Sequence, residues 1–434
     1  MAKGLHILYL YADGESEWNC SQWRALTPAN AINAEHAAGR TPHTAKLYHL
    51  GTALDWRDPR VEQALGLADV MVFQRNVITP EVWQAMDYWR ALGKLVLVDL
   101  DDHYPELPPS NPAHEYWTRN ALEMNPTPIA RLEEGMRHAD YLISPSKVIL
   151  QDWSTVVPGR WLPNWAQRPW YEGIQQKPVG APDVIVQSGA PTKDAGGAEV
   201  APTVQAAERI GSAGEVIIGW GGSISHVDSW IYSGIVDALD RVFRDFPQAR
   251  LKFCGGERRL DDLLNRWGER VIRQPGVTAQ DWPVVVSTFD IGVAPLDVRP
   301  LVPPWRPGAP VAAYDERRSW LKGLEYLCAG VPWVGQRSAT YADLSGRGTL
   351  VDATPDAWYE ALAAKIRRLA DAKAVAADNR RWAMKRLTYE ANVNKVGEMF
   401  TEMAAEREVR RGAQLPGVIY VRREAPPKTA GATA

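Results

Sequence analysis

Short apolar runs alternate with helix-start signals through the first half of the chain. The apolar runs lie at residues 5–11, 44–50, 70–73, 95–98 and 141–143. Between them, Thr-Pro or Asp-Pro pairs at 27–28, 58–59 and 79–80 place a capping residue before a proline, which is how helices often begin. Buried strands that alternate with helices are typical of a doubly wound parallel sheet, so the pattern predicts an α/β domain of that type.

A second series of apolar runs begins at residue 216 and repeats the alternation. Its strands are predicted at residues 216–220, 251–253, 271–273, 291–294 and 333–334. Helical spacing after the first of these runs predicts one helix with a single buried face. That face consists of Ile231, Ile235, Leu239, Val242, Phe243 and Phe246. Past Pro355 the pattern is helical to about residue 409. The two series of strands together predict two sheet domains in tandem.

Residues 167–214 separate the two sheets and carry little periodicity apart from 184–186. Pro, Gly, Ala and Gln dominate this stretch, which predicts a linker with a mobile insertion. We divide the chain into a Rossmann-like domain at 1–166, this linker, a second Rossmann-like domain at 215–375, helices at 376–411 and a disordered tail at 412–434. Ligands of open α/β sheets bind beyond the carboxyl ends of the strands, so the cleft between the domains is the expected site.

Composition and charge narrow the class of protein. The 434 residues carry a formal net charge of -3 without a long run of one sign, which gives no reason to expect nonspecific attraction to nucleic acid or anionic membranes. The 3 cysteines are far apart and odd in number, which favours a reducing cytoplasm over a disulfide framework. No apolar run is long enough to span a bilayer, and no metal-ligand spacing joins the cysteines.

A glycine-rich loop follows the run at 216–220. Gly221, Gly222 and Ser223 precede a helix, where backbone N–H groups can approach a phosphate and a helix N-terminus adds partial positive charge. His226 is placed to donate to a phosphate or to a sugar hydroxyl. Tight turns also use paired glycines, and His226 fits a capping or structural role nearly as well, so the loop alone leaves both interpretations open.

The segment at 317–329 predicts a helix with a polar face beside its apolar one. Arg318, Lys322 and Glu325 share the polar face. Two cations suit a diphosphate, and a carboxylate can accept hydrogen bonds from both ribose hydroxyls. The alternative is a solvated face whose ion pairs contribute only about 0.2–0.5 kcal/mol each.

Several motifs in this order resemble the GT-B glycosyltransferases of family four, the "glycosyl transferases group one". The sequence RSWLKGLEYLCAGVP at 318–332 resembles the donor-site segment of that group, and GWGGSISHVD at 219–228 resembles its glycine loop. In the first half, DLDDH at 99–103 resembles a segment of its bacterial and phage members, and LPN at 162–164 resembles the usual end of its first domain. Together these motifs fall between about residues 95 and 369.

The resemblance implies a GT-B fold, in which two Rossmann-like doubly wound domains face a cleft and the last helices return to the first domain. It implies acceptor binding mostly by the first domain and donor binding by the second, with Glu325 on the donor ribose. The implied donor-binding set is Gly221, Gly222, Ser223, Arg318, Ser319, Lys322 and Glu325. A nucleotide-sugar such as a UDP-sugar is then the co-substrate, without a cofactor.

One departure from the family pattern concerns the first of its two usual glutamates. That position holds Arg317, and Glu316 is one residue out of register, a rotation of about 100° on a helix. If the helix starts irregularly, Glu316 can still contact the donor sugar. Otherwise this chain contacts the donor sugar in a way that differs from the family pattern. The identity of the sugar and the retention of its configuration depend on which of these holds.

Asp99, Asp101 and Asp102 directly follow the run at 95–98. Aspartates at such spacing hold Mg²⁺ or Mn²⁺ in GT-A, the other glycosyltransferase fold. Here the phosphate-binding candidates lie in the other domain with cations beside them, so we expect a site without metal. We expect Asp101 and Asp102 to face the cleft and to position an acceptor hydroxyl or act as base, whereas Asp99 equally fits a bond to the backbone.

The sequence therefore predicts a retaining, metal-independent, hexosyltransferase-like glycosyltransferase with Asp101, Asp102 and His226 as catalytic residues. The phage-like segment suggests a virion protein or a hydroxymethylated DNA base as acceptor, while a cell-envelope glycan and a small molecule stay open. A nucleotide- or glycan-binding relative without turnover is the alternative, motivated by Arg317. A remodelling relative such as an epimerase or phosphorylase is disfavoured, because no cofactor motif accompanies the fold pattern.

Overall fold

The protein is described by a computed structural model that covers most of the chain. It describes residues 4–14, 20–119, 123–188, 192–193, 199–200, 204–222, 224–255, 258–300 and 312–414. Three expectations from the sequence therefore fall partly or wholly outside the described residues. They are the donor-binding role of Ser223, the insertion at 189–203 apart from four residues, and the tail from 415 to 434.

The first domain is a six-stranded parallel sheet with helices on both faces. Its elements are β1 (His6–Tyr11), α1 (Thr27–Ala37), β2 (Thr44–His49), α2 (Pro59–Leu65), β3 (Val70–Gln74), α3 (Pro80–Ala91), β4 (Leu95–Asp99), α4 (Pro128–Arg137), β5 (Tyr141–Ser144), α5 (Lys147–Asp152) and β6 (Gly159–Trp161). The strand order is β2-β1-β3-β4-β5-β6, and every neighbouring pair is parallel. Strands β3, β4 and β5 are buried throughout, which is why they read as continuous apolar runs.

The connection between the domains contains regular structure. It includes α6 (Arg168–Glu172), β7 (Asp183–Ser188), β8 (Thr192–Lys193), β9 (Glu199–Val200) and β10 (Val204–Ile210), with β7 antiparallel to β10 and β8 antiparallel to β9. Where the sequence predicts a mobile linker, strand β7 is attached to the second domain. Gln274 donates to the Val186 carbonyl at 2.7 Å and accepts from its N–H at 3.1 Å, and Lys252 pairs with Asp183 at 3.1 Å in full burial.

The second domain repeats the architecture of the first. Its elements are β11 (Val216–Gly221), α7 (Val227–Tyr232), α8 (Ile235–Asp245), β12 (Ala249–Cys254), α9 (Arg258–Asn265), β13 (Val271–Gln274), α10 (Trp282–Ser287), β14 (Ile291–Ala294), α11 (Leu321–Ala329), β15 (Trp333–Gln336), β16 (Thr349–Val351), α12 (Pro355–Arg367), α13 (Leu369–Arg386) and α14 (Val393–Gln414). The strand order is β13-β12-β11-β14-β15-β16, again all parallel.

The single helix predicted after β11 is two helices, so that prediction is wrong. Gly234 interrupts it with φ of 85°, a left-handed conformation that favours glycine, and separates α7 from α8. The break turns Ile231 outward, where it is 44% exposed instead of sharing the face of Ile235.

The last helix, α14, packs on the first domain. Arg407 donates to the Gly93 carbonyl at 3.0 Å and lies 3.5 Å from the Asp140 carboxylate. Ala166, at the end of the first domain, forms a parallel bridge with Thr388 just before that helix. The chain thus crosses between the domains twice. No helix in the described ranges has both the length and the apolar character needed to cross a membrane.

Candidate functional site

Helix α11 carries two of the three residues predicted to share its polar face, Lys322 and Glu325. The third, Arg318, precedes the helix. The helix begins at Leu321, and a 3₁₀ turn at Tyr314–Arg317 precedes it. Arg318 lies between the 3₁₀ turn and the helix in an extended conformation, with φ of -72° and ψ of 161°. The prediction that Arg318 shares a helical face with the other two is therefore wrong. Arg318 still lies at the same site, because the extended connection turns its side chain toward the glycine loop.

Glu325 is buried and Lys322 is half-buried, which rules out the solvated-face alternative for this pair. Glu325 is 6% exposed, and every residue of α11 from Gly323 onward is buried. Burial raises the pKa of Glu325, against the opposing effects of Lys322 and of a hydrogen bond from Trp282. Burial lowers the pKa of Lys322, against the attraction of Glu325. Two ionisable groups of opposite charge whose pKa values are both shifted by burial are typical of a binding or catalytic site.

The glycine loop closes around the Lys322 ammonium group. Lys322 Nζ donates to the Gly221 carbonyl and lies 4.9 Å from the centre of the Trp220 ring. A Cβ at Gly222 would lie 2.9 Å from Lys322 Nζ, and one at Gly221 would collide with the ring of Trp282. Glycine is needed at both positions because these side chains approach the loop backbone so closely.

Arg318 is fixed beside the same loop by a buried carboxylate. Its Nε donates to Asp315 Oδ1 at 2.5 Å, and its Nη2 donates to the Ser225 carbonyl at 2.6 Å. Asp315 in turn accepts from the Ser229 hydroxyl at 2.6 Å and from the Asp297 N–H at 2.7 Å. The loop after β11, the end of β14 and the segment before α11 therefore hold one cation in a defined position.

His226 lies between the two cations. Burial lowers its pKa well below the ordinary value, and the positive charges of Arg318 and Lys322 lower it further. The imidazole is accordingly neutral at pH 7, with one N–H to donate. Its ring meets that of Trp220 edge-on, with centroids 5.9 Å apart. The side chain of His226 forms no capping bond at α7, so the capping alternative is not what the structure has. Donation to a phosphate or to a sugar hydroxyl stays a prediction.

Asp102 reaches this cluster from the first domain. Its Oδ1 accepts from the Tyr314 hydroxyl at 3.0 Å, and the Tyr314 ring lies 4.9 Å from the Arg318 guanidinium. Asp101 lies behind it, where burial and the neighbouring Asp102 raise its pKa. Both carboxylates lie at the carboxyl end of β4. Asp102 contacts the segment before α11 through Tyr314, whereas the charged groups that act on Asp101 belong to the first domain, so a cleft-facing role of Asp101 stays a prediction.

Asp99 has a separate, structural role. The Arg24 guanidinium contacts both of its carboxylate oxygens, with Nε–Oδ1 and Nη2–Oδ2 distances of 2.9 Å, and both side chains are 1% exposed. The expected bond from Asp99 to the backbone is thus replaced by a buried ion pair. Within the ranges that the structure describes, no group of three His, Cys, Asp or Glu side chains is arranged to hold a metal ion.

Arg317, where a glutamate is usual, points away from the donor helix and into the first domain. Its Nε donates to Asp152 Oδ2 at 2.6 Å, its Nη2 lies 3.5 Å from Glu106 Oε2, and its side chain is 4% exposed. Glu316 accepts from the Ala339 N–H at 2.5 Å instead of facing Lys322. Neither residue supplies the carboxylate that the family pattern leads one to expect.

Three further contacts join the two domains. Asn164 donates to the Ser319 hydroxyl at 3.0 Å, and its carbonyl accepts from the Trp320 indole at 2.7 Å. Lys147 donates to Asp343 at 2.7 Å near the surface. Ser319, predicted to lie at the diphosphate, is therefore held by the first domain.

Several residues of this site escape prediction from the sequence. Tyr314 and Asp315 end the long loop at 296–315, which has no periodic pattern, and Trp282 begins a helix that reads as ordinary core. Asp152 ends α5 with no motif around it. The only signal in the sequence is that this loop is long and rich in Pro and Arg, which fits a lid, an acceptor contact or a surface excursion equally and singles out no residue.

The arrangement of the two domains matches known structures, although the sequence matches none. No protein-family model matches the chain, and no curated protein matches its sequence. Sucrose-phosphate synthase from Thermosynechococcus elongatus is 12% identical over 93% of this chain and 100% of its own, with a TM-score of 0.54. The N-terminal domain of trehalose-6-phosphate phosphatase from Candida albicans is 7% identical over 93% and 98%, with a TM-score of 0.50.

A third structure, an O-GlcNAc transferase from Thermobaculum terrenum, is 15% identical over 94% of this chain and 69% of its own, with a TM-score of 0.49. At such low identities the likeness concerns the fold. Together with the two parallel six-stranded sheets, it confirms the prediction of a GT-B architecture with two Rossmann-like domains.

Proposed function

We propose that this chain transfers a sugar from a nucleoside-diphosphate sugar to a hydroxyl group of an acceptor. The observation that carries the proposal is a continuous polar cluster in the cleft. Arg318 and Lys322 lie beside the glycine loop, Glu325 follows Lys322 by one turn of α11, and Asp102 joins them from the first domain through Tyr314. The names of the structural neighbours, a sucrose-phosphate synthase and an O-GlcNAc transferase, agree with this class of reaction.

The second domain supplies the donor site in this proposal. Glu325 accepts hydrogen bonds from the ribose hydroxyls, while Arg318 and Lys322 neutralise the diphosphate. The Lys322 ammonium has three N–H groups, so it can hold the Gly221 carbonyl and a phosphate oxygen together. Fixed cations in a site shielded from water stabilise the charge on the departing diphosphate, which is the role that a metal ion plays elsewhere. His226, neutral between the cations, donates one N–H.

The first domain supplies the acceptor side. Asp102 positions the attacking hydroxyl, and Asp101, whose pKa is raised to about 6, is ionised at neutral pH and can take up a proton. The acceptor classes are those that the sequence leaves open: a virion protein, a hydroxymethylated DNA base, a cell-envelope glycan or a small molecule. A DNA acceptor predicts a steep loss of affinity with rising salt concentration.

Release of nucleoside diphosphate tests the proposal. The wild type and Lys322→Met are incubated with a panel of nucleoside-diphosphate sugars and the four acceptor classes, with and without a chelator. We expect acceptor-dependent release by the wild type, unchanged by the chelator and lost in the variant. The resemblance further implies retention of the anomeric configuration, which NMR of the product reads directly. Release that stops when the chelator is added refutes metal independence.

A second candidate function is nucleotide or glycan binding without turnover. The observation that favours it is the burial of Arg317 against Asp152 in place of a carboxylate facing the donor. This candidate predicts saturable binding of a nucleotide or glycan with no product from any donor and acceptor pair. Detectable product from any pair eliminates it.

A further inference from the structure

A pocket of about 390 Å³ lies on the second domain, away from the residues of the cleft cluster. It is enclosed by α12, α13 and the loop that leads into the edge strand β16. Three cationic side chains line it, Arg347, Lys365 and Arg368, against one carboxylate, Asp371. Three positive charges against one negative charge leave a formal excess of two positive charges in the pocket.

Lys365 has no counter-charge within the part of the chain that the structure describes. Its side chain is half-buried in the pocket wall, and no hydrogen bond or ion pair among the described residues involves its ammonium group. Burial lowers its pKa. An ammonium group withdrawn from water without a partner costs free energy, and a bound anion offsets that cost.

Arg347 is held in position before any ligand arrives. Its Nη1 donates to Asn379 Oδ1 at 3.1 Å, and its guanidinium lies 4.4 Å from the centre of the Trp382 ring. Its carbonyl accepts from Asn379 Nδ2 at 3.1 Å and from the Trp333 indole at 3.2 Å. Gly348 next to it has no room for a Cβ, which would collide with the Trp333 ring. A fixed guanidinium loses little entropy when it binds an anion.

We propose that this pocket binds a phosphate group, either inorganic phosphate or a phosphomonoester. A phosphomonoester carries about 1.5 to 2 negative charges at pH 7, which matches the formal excess of the pocket. Its oxygens suit the planar fork of Arg347 and the point charge of Lys365. Arg368, whose side chain is 77% exposed, pairs with Asp371 at 2.9 Å and adds its charge at the surface end of the pocket.

The pocket is linked to the cleft through one side chain. The Trp333 ring contacts the pocket loop on one side, and a Cβ at Gly323 of α11 would lie 3.1 Å from its far edge. The phosphate site therefore lies one aromatic ring away from the helix that carries Lys322 and Glu325. Phosphate binding itself does not depend on the proposed transfer reaction.

Titration with phosphate at constant ionic strength, followed by ³¹P NMR line width, tests the proposal on the full chain. We expect saturable binding of inorganic phosphate to the wild type, weakened at least about tenfold in Lys365→Gln and in Arg368→Gln, because each loses a charge-assisted contact. The matched control is Arg381→Gln in α13, which lies outside the pocket. Like Arg368, Arg381 is exposed and paired with an aspartate three residues away, so its loss should leave phosphate binding unchanged.

The variants also distinguish this pocket from the cleft. Arg368 is too exposed to be needed for folding, so Arg368→Gln keeps the test valid if Lys365→Gln does not fold. Tighter binding of glycerol phosphate than of inorganic phosphate identifies an ester as the ligand, and the reverse identifies the free ion. Binding that survives both pocket variants but is lost in Lys322→Met belongs to the cleft and overturns the proposal, as does the absence of saturable binding.

Discussion

Glu325 and Lys322 occupy an environment that makes charge costly for both. Burial raises the pKa of Glu325 and lowers that of Lys322, so the two values approach each other from opposite sides. Acid therefore removes the charge of Glu325 and alkali removes that of Lys322, and the two charges coexist best near neutral pH. A site prepared for a ribose and a diphosphate needs both charges, because one group accepts hydrogen bonds and the other donates them.

Donor affinity is therefore expected to pass through a maximum near neutral pH. At lower pH Glu325 takes up a proton and becomes a weaker acceptor, and at higher pH Lys322 loses the charge that attracts the phosphates. Calorimetric titration with a nucleoside-diphosphate sugar measures this profile, since the diphosphate diester does not titrate there. Glu325→Gln should remove the acidic limb and weaken binding by about 1.5–3 kcal/mol, the usual contribution of hydrogen bonds to a charged group. A profile that is flat in the wild type contradicts the assignment.

Asp102 is expected to act on the acceptor and not on the donor. Asp102→Asn should lower turnover by about 10²–10⁴-fold, the usual contribution of a positioned acid or base, with donor affinity unchanged. Tyr314→Phe is the matched control, because it removes the hydrogen bond to Asp102 and leaves the carboxylate. A loss of donor affinity in Asp102→Asn equal to the loss of turnover would place this residue in the donor site instead. Initial-rate kinetics with both substrates varied separates these outcomes.

At the scale of elements, the sequence predicts the buried strands best. Strand β14 is found at the predicted residues, because a parallel strand buried on both faces is a continuous apolar run. Strands β6 and β16 were not predicted, since three residues of mixed polarity carry no pattern. The start of α11 was predicted four residues early, because Arg317 to Trp320 fit helical spacing although tertiary contacts of Arg317 and Arg318 hold them outside it.

Gly234 makes the break between α7 and α8 a testable feature. Gly234→Ala is expected to destabilise the protein by more than about 1–2 kcal/mol, since a left-handed backbone costs that much with a Cβ. The added Cβ would also lie 2.9 Å from the Pro355 nitrogen. Gly39→Ala is the control, because Gly39 has φ of 70° with no atom within 4 Å of the added Cβ. Equal shifts of the urea midpoint in the two variants would show that the contact with Pro355 is unimportant.

At the scale of the whole molecule, polar contacts join segments that are distant in the sequence. Arg24 and Asp99, 75 positions apart, connect two segments of the first domain, whereas Arg317 and Asp152, 165 positions apart, connect the two domains. No local pattern in the sequence indicates either pair, so the alignment of the two domains had to come from the structure. The resemblance to a family predicts which residues form the donor site. It does not predict that Arg317 contacts Asp152 of the first domain.

Asp152→Asn is expected to open the cleft. Arg317 is buried whereas the Asp152 side chain is 25% exposed, so removing the Asp152 charge costs less than about 3–5 kcal/mol, the cost in a fully buried pair. Separation of the domains limits that cost further by returning Arg317 to water. Small-angle scattering should then report a larger radius of gyration than for the wild type. Asp343→Asn breaks the exposed contact with Lys147 and should change little, because exposed pairs contribute about 0–1 kcal/mol. Unchanged scattering from Asp152→Asn would mean that other contacts hold the domains together.

The measurement that tests the central claim most directly is thermal stabilisation by UDP, GDP, ADP, dTDP and their common sugars, in the wild type and in Glu325→Ala. A ligand at about 100 times its dissociation constant adds about 2.7 kcal/mol of stability. The account predicts that one nucleotide stabilises the wild type and stabilises the variant much less. Stabilisation by none of them, even with acceptors and divalent metal present, would contradict the placement of a donor site on α11.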